Sequence, residues 1–207
     1  MSKIIAIMFL LCCGMMLFGC ADDNGRRKAE QQKTIVVTDS VGRKVELPYP
    51  LERVAVCNVY NAELITAVGA IDKIVGVDNY IFKDQSGFKN RFNETQVFGI
   101  SQNAMNYEKL AELSPQAVII TGEGTWRDAQ EMLDRFGIKV IVINSYYTDQ
   151  FADNCRLIGR IFGREEQAEE LVNYFNDKLA YIQKQLQGVP RRSLYFEYRT
   201  LGKTAVP

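Results

Sequence analysis

The chain has 207 residues, 25 Lys+Arg, 25 Asp+Glu and no His. A formal charge of zero argues against a nucleic-acid partner, which calls for a basic excess. The absence of His excludes every His-based zinc site, Ser-His-Asp triad and Cys-His dyad built from this chain alone. A hydrophobic fraction of 47% is enough to bury a core.

The first element is a targeting segment. Lys3 precedes an uncharged, mostly apolar run from Ile4 to Phe18, and the chain turns polar at Asp22. The run is too short for a comfortable transmembrane helix and has the length of a signal-peptide core. Leu17-Phe-Gly-Cys20 resembles the lipobox of bacterial lipoproteins. That resemblance implies removal of residues 1–19, a lipid on Cys20 and contact with the bilayer through it. An ordinary secretory signal with an incidental Cys is the alternative. Residues 20–33 are nearly free of apolar side chains past Ala21 and read as a flexible tether. Five of the basic and three of the acidic residues lie in 1–33, so the body carries 20 and 22. Cys57 and Cys155 remain in that body. Export permits a disulfide, but both sit in apolar surroundings, and the sequence favours two buried thiols.

Thr34–Thr38 and Lys44–Leu47 flank a Gly42-containing turn and predict an N-terminal β-hairpin. Arg53–Cys57 predicts a buried strand. A helix over Ala62–Val68 follows, capped by Asn58 or Asn61 and ended by Gly69. Lys73–Val77 is the next strand. Asn79–Gln96 shows no periodicity and reads as a long loop, functional or mobile. Asn106 opens a short helix through Leu113, which Ser114-Pro115 closes. Strand Ala117–Thr121, the tight turn Gly122–Thr125 and helix Trp126–Phe136 come next. Strand Lys139–Ile143 and helix Thr148–Phe162 complete the alternation. Val/Ile strands separated by helices predict an α/β lobe around a parallel sheet, over residues 34–163. Residues 164–187 carry Ala168, Leu171, Val172, Phe175, Leu179, Ile182 and Leu186 on one helical face, a single long helix. Ser193–Tyr198 then predicts a strand, which either returns to the first sheet or opens a second lobe; the second reading, favoured partly by the family resemblance given below, makes residues 193–207 the start of an incomplete lobe.

The strand ends carry the candidate site. In open parallel sheets, ligands sit beyond the carboxyl ends of the strands. Those ends hold Asn58 and Tyr60, Tyr80, then Gly122, Glu123, Thr125 and Trp126, and finally Tyr146 and Tyr147. Aromatic rings provide stiff contact area with orienting polar groups. The bland alternative is that some of these rings fill the edge of the lobe. Gly122-Glu-Gly124 between strand and helix lacks the third Gly of a dinucleotide fingerprint. Glu63, Asp78, Glu123 and Asp128 leave a paired-acid hydrolase conceivable, though no spacing selects a pair. A scaffold lipoprotein is a third class. Without imidazole, a bare transition metal is poorly served, which favours a metal already held by an organic chelator. A phenolate from Tyr60, Tyr80, Tyr146 or Tyr147 to ferric iron or haem is an option.

Several stretches together resemble one family: "TDSVGRKVELP", "ERVAVCNVYNAELITAVGAIDKIVGVDNY" and "MNYEKLAELSPQAVIITGEGTWRDAQEMLDRFGIKVIVIN", with the long helix behind them. They are similar to bacterial substrate-binding proteins of ABC importers, the rigid-hinge class for ferric siderophores, haem and cobalamin. The resemblance implies two facing lobes bridged by one long helix. It further implies no enzymatic activity and no intrinsic cofactor, with an iron or cobalt chelate as cargo. It places the protein in the cell envelope, exported and lipid-anchored, with ABC permease subunits as partners and no nucleic acid. Glu108 falls on the position where that family carries an exposed Glu for docking to permease Arg residues.

Overall fold

The structure is a computed structural model and describes residues 33–193. The signal segment, Cys20, the tether, the strand over 193–198 and the second-lobe segment therefore lie outside the described residues, save Lys33 and Ser193.

The unit beginning at Thr34 opens with β1 (Thr34–Thr38) and β2 (Lys44–Pro48), paired antiparallel from Thr34↔Pro48 to Thr38↔Lys44. Five parallel strands follow: β3 (Val54–Val56), β4 (Ile74–Asp78), β5 (Val97–Gly99), β6 (Ala117–Ile120) and β7 (Lys139–Val142). Their spatial order is β5-β4-β3-β6-β7. The chain starts at the centre, winds outward through β4 and β5, then returns to build β6 and β7 on the other side. That reversal creates a crevice at the carboxyl ends beside β3.

Six helices connect or flank these strands: α1 (Val59–Ala67), α2 (Asn79–Lys83), α3 (Tyr107–Glu112), α4 (Trp126–Asp134), α5 (Phe151–Phe162) and α6 (Glu165–Gln185). Alternation along each strand feeds two cores. Val54, Val56, Ala117, Ile119, Ile141 and Ile143 face one side with α1, α5 and the start of α6. Ala55, Cys57, Val118, Ile120, Val140 and Val142 face the other with Leu110 of α3 and Ala129 and Leu133 of α4. Both faces are covered, which is why these strands read as unbroken apolar runs.

One expectation needs correction. The stretch 79–96 is not one structureless loop: α2 and a short 3-10 turn (Glu94–Gln96) occupy its ends. β5 follows directly, an edge strand that periodicity could not reveal in three residues. The long helix forms as expected over Glu165–Gln185, with its apolar face only half covered. Ala168 and Val172 are buried and Phe175 stacks on Phe151 at 4.1 Å, but Leu179, Ile182 and Leu186 are 37%, 49% and 58% exposed. The buried end is held by close approach of α5: a Cβ on Gly159 would lie 2.5 Å from that of Ala168. Glu169 adds a two-pronged pair with Arg156 at 2.6 and 3.1 Å.

Cys57 and Cys155 are free and buried. Burial pushes the Cys57 thiol well up, helped by the charge of Asp78. It also pushes Cys155 up to about 12. Both behave as buried, protonated thiols rather than as reactive ones. No helix among the described residues is long and apolar enough to cross a membrane.

Candidate functional site

A cleft of about 580 Å³ opens at the carboxyl ends of β3, β4, β5 and β6. Each strand contributes one segment. β3 delivers Asn58, Val59 and Tyr60. Asn58 adopts φ +78° with ψ 127°, a positive-φ conformation outside the left-handed helical region and rare for any residue but Gly. Its side chain accepts the Tyr60 N–H at 2.9 Å, which starts α1 earlier than the sequence indicated. Asn61, the other cap candidate, lies inside α1. It donates to the Cys57 carbonyl at 3.2 Å and accepts the Ser145 hydroxyl at 2.6 Å.

β4 ends in Asp78, which is almost fully buried yet borders the cleft. Its carboxylate caps α2 by accepting the Ile81 N–H at 3.0 Å, and it accepts the Asn58 N–H at 3.0 Å. Burial raises its pKa, and these backbone donors oppose the rise. Asp78 thus ties two strand ends together, a role that the hydrolase alternative did not foresee. Tyr80 follows, 63% exposed, and lines the same cleft as Tyr60, 54% exposed.

β5 contributes Ser101, Gln102 and Asn103, which the sequence reading missed. The signal was a polar run directly after the unrecognised strand. Gln102 Oε1 accepts both the N–H and the hydroxyl of Thr121, at 3.0 and 2.8 Å, and its amide nitrogen donates to the Glu123 carbonyl. Gln102 therefore fixes the loop after β6 to the loop after β5. That loop supplies Thr121 and Glu123 to the lining. Gly122 N–H donates to Asn144 Oδ1 at 2.7 Å, anchoring the loop from its other side.

Of the residues singled out in the sequence, Asn58, Tyr60, Tyr80 and Glu123 line this cleft. Gly122 and Thr125 belong to the loop behind it, with the Thr125 hydroxyl 3.4 Å from Asn103 Oδ1. Trp126 does not line it. The indole is buried against the α4 core, with the Arg43 guanidinium 4.3 Å and that of Arg127 4.1 Å from the ring. Tyr146 and Tyr147 pair with each other at 4.4 Å, and the Tyr146 hydroxyl donates to Glu123 at 3.0 Å. Burial, with the phenol of Tyr147 and the carboxylate of Glu123 close by, raises the Tyr146 pKa strongly. It is a proton donor here, not a phenolate. Glu108 stands apart from the cleft, exposed in the first turn of α3, which Asn106 caps through the Lys109 N–H at 2.9 Å.

With this geometry in hand, comparisons place the chain. Its fold is shared with a periplasmic solute binding protein from Veillonella parvula, at 28% identity and a TM-score of 0.64, over 76% of this chain and 50% of that one. Molybdate-bound MolA of Haemophilus influenzae matches at 23% identity and 0.64, over 75% and 55%. Staphylococcus aureus SirA complexed with staphyloferrin B matches at 21% and 0.61, over 74% and 51%. The last two are similar in fold alone. The chain spans about half the length of the solved structures it matches. A comparison with curated proteins found no match. A family model described as periplasmic binding protein matches residues 54–203, most of the chain and all five parallel strands, and the chain belongs to the periplasmic binding protein family.

Proposed function

We propose that this chain is the lipid-anchored, extracytoplasmic solute-binding component of an ABC importer, and that it captures a metal chelate for delivery to the permease. The observation that carries the reading is the cleft. It lies where a doubly wound sheet binds ligands, and two tyrosines with more than half their surface exposed border it together with amides and hydroxyls. Such a lining suits a bulky complex whose own organic ligands hold the metal, whether ferric siderophore, haem or cobalamin-like. The chain has no imidazole to offer a bare ion. Membership of a family of binding proteins removes the hydrolase alternative.

In this reading a second lobe faces the first and completes the cleft, with α6 as the bridge. The exposed Leu179, Ile182 and Leu186 are consistent with such cover. Cys20 carries the lipid, and Glu108 docks on the permease through cationic partners there.

The test follows binding and uptake side by side. Titrating the full chain with ferric chelates and haem should give measurable but weak binding, since a ligand walled on one side loses much of its contact area. In cells that take up the chelate through this protein, Glu108→Arg should abolish uptake without changing ligand affinity. Cys20→Ser should release the protein from membranes and end palmitate labelling. Absence of binding to every chelate sinks the reading. Normal uptake by Glu108→Arg removes the docking role, and labelling that survives Cys20→Ser removes the anchor.

A further inference from the structure

The charge and donor pattern of the cleft bears on which chelates it accepts. Among the described residues that line it, the charged side chains are Asp78 and Glu123, and neither Lys nor Arg is present. A concave wall with charges of one sign focuses its field into the enclosed space.

A second observation is independent of side-chain charge. At the carboxyl edge of a parallel sheet, loop amides and helix N-termini ordinarily offer N–H groups to an anion. Here the protein's own acceptors take five of them. The Asn58 and Ile81 N–H groups are both on Asp78, at 3.0 Å each. The Tyr60 N–H is on Asn58 Oδ1 at 2.9 Å. The Thr121 N–H is on Gln102 Oε1 at 3.0 Å, and the Gly122 N–H is on Asn144 Oδ1 at 2.7 Å. An anionic ligand would have to displace a buried carboxylate or a side-chain amide to reach any of these donors. The displaced group would then be left unpaired, at a cost exceeding an ordinary hydrogen bond.

For a cation the same wall is favourable. The Glu123 carboxylate, exposed and holding Tyr146 through one oxygen, is available for charge pairing. The exposed rings of Tyr60 and Tyr80 present faces that attract positive charge. We propose that this wall of the cleft selects chelates of positive or zero net charge and discriminates against anionic ones, because five of its strand-end amides are already occupied and its ionisable lining is acidic. The inference rests on the chelate-binding reading and narrows it.

Three ferric complexes of similar size serve as probes: a cationic linear trihydroxamate, a neutral cyclic trihydroxamate and a trianionic tris-catecholate. Affinities are measured by equilibrium dialysis of radiolabelled iron against the full chain, its Glu123→Gln variant and its Glu123→Lys variant. The cationic complex should bind roughly ten- to a hundredfold more tightly than the trianionic one at low salt, with the ratio shrinking as salt is added. Glu123→Gln should narrow the gap, and Glu123→Lys should close or invert it. A trianionic complex that binds as tightly as the cationic one overturns the charge selection while leaving chelate binding intact. An order unchanged in Glu123→Lys overturns its assignment to this cleft. Failure of all three complexes to bind overturns the chelate-binding reading itself, and the selection with it.

Discussion

Asp39→Ala is expected to destabilise the lobe by about 3–5 kcal/mol, the loss typical of breaking a buried ion pair by removing one partner. The Asp39 side chain is fully buried, while Arg43 retains 21% exposure. One carboxylate oxygen accepts the Val41 and Arg43 N–H groups at 3.2 and 2.9 Å. The other accepts Arg43 Nε and Nη2 at 3.0 and 2.6 Å and the Val142 N–H at 3.3 Å. Arg43 continues to the Val140 carbonyl at 3.1 Å, to Gln130 and to the face of Trp126. One carboxylate therefore welds the hairpin turn to β7 and, through Arg43, to α4. Without it, water reaches part of the guanidinium, which sets the expected loss near the lower end of the range. A shift of about 2–4 °C in Tm per kcal/mol makes this visible in thermal denaturation. The double variant Asp39→Ala/Arg43→Met should be less destabilised than Asp39→Ala alone, since it no longer strands a cation. A loss below about 1 kcal/mol, or a double variant worse than the single, would show that the turn is held by backbone pairing instead.

The parallel sheet was legible because burial on both faces produces apolar runs rich in Val and Ile, and four of the five strands carry one. β5 was not, since Val97-Phe-Gly99 offers only one large buried side chain, at the edge. α2 escaped for a related reason: five residues are too few for a helical period, although Asp78 at its N-cap was a readable start signal. With β5 and α2 unseen, Ser101, Gln102 and Asn103 had no strand end to belong to and went unrecognised as cleft residues. The misplacement of Trp126 had a different origin. Proximity to a strand end suggested a ligand contact, yet Trp126, Ala129 and Leu133 recur at the spacing of one helix face. That pattern placed the indole in the core, and it was present in the sequence. The occupied amides of the cleft are a third kind of case. They depend on side chains from separate loops meeting across the sheet edge, as Gln102 meets Thr121 and Asn144 meets Gly122, and no local pattern reports such meetings.

Phe98→Ala should cost about 3–5 kcal/mol, as for other fully buried aromatics cut to Ala, and should weaken ligand binding as well. Phe98 is fully buried in the core shared with Ala55, Leu110 and Val118. Its ring lies against Gly76 of β4, where a side chain's Cβ would sit only 3.1 Å from the ring edge. The strand itself has little else to hold it, pairing with β4 only through Val77↔Val97 and Asp78↔Gly99. Yet β5 supports the loop that bears Ser101, Gln102 and Asn103. The Phe98 carbonyl accepts the Asn106 N–H at 2.8 Å, Gly99 bridges Met105, and the Ile100 N–H donates to the Ala104 carbonyl at 3.1 Å. Loosening the ring therefore frees the loop that pins Thr121 and Glu123. Phe98→Leu keeps most of the volume and should cost under about 1.5 kcal/mol, with binding nearly retained. Denaturation and chelate titration of both variants, the latter at a temperature where each is folded, separate the two effects. Stability lost with full affinity kept would mean that the cleft loop holds its shape without β5. Little loss of stability in Phe98→Ala would mean that neighbouring side chains close over the cavity, and that the edge strand is anchored by its backbone.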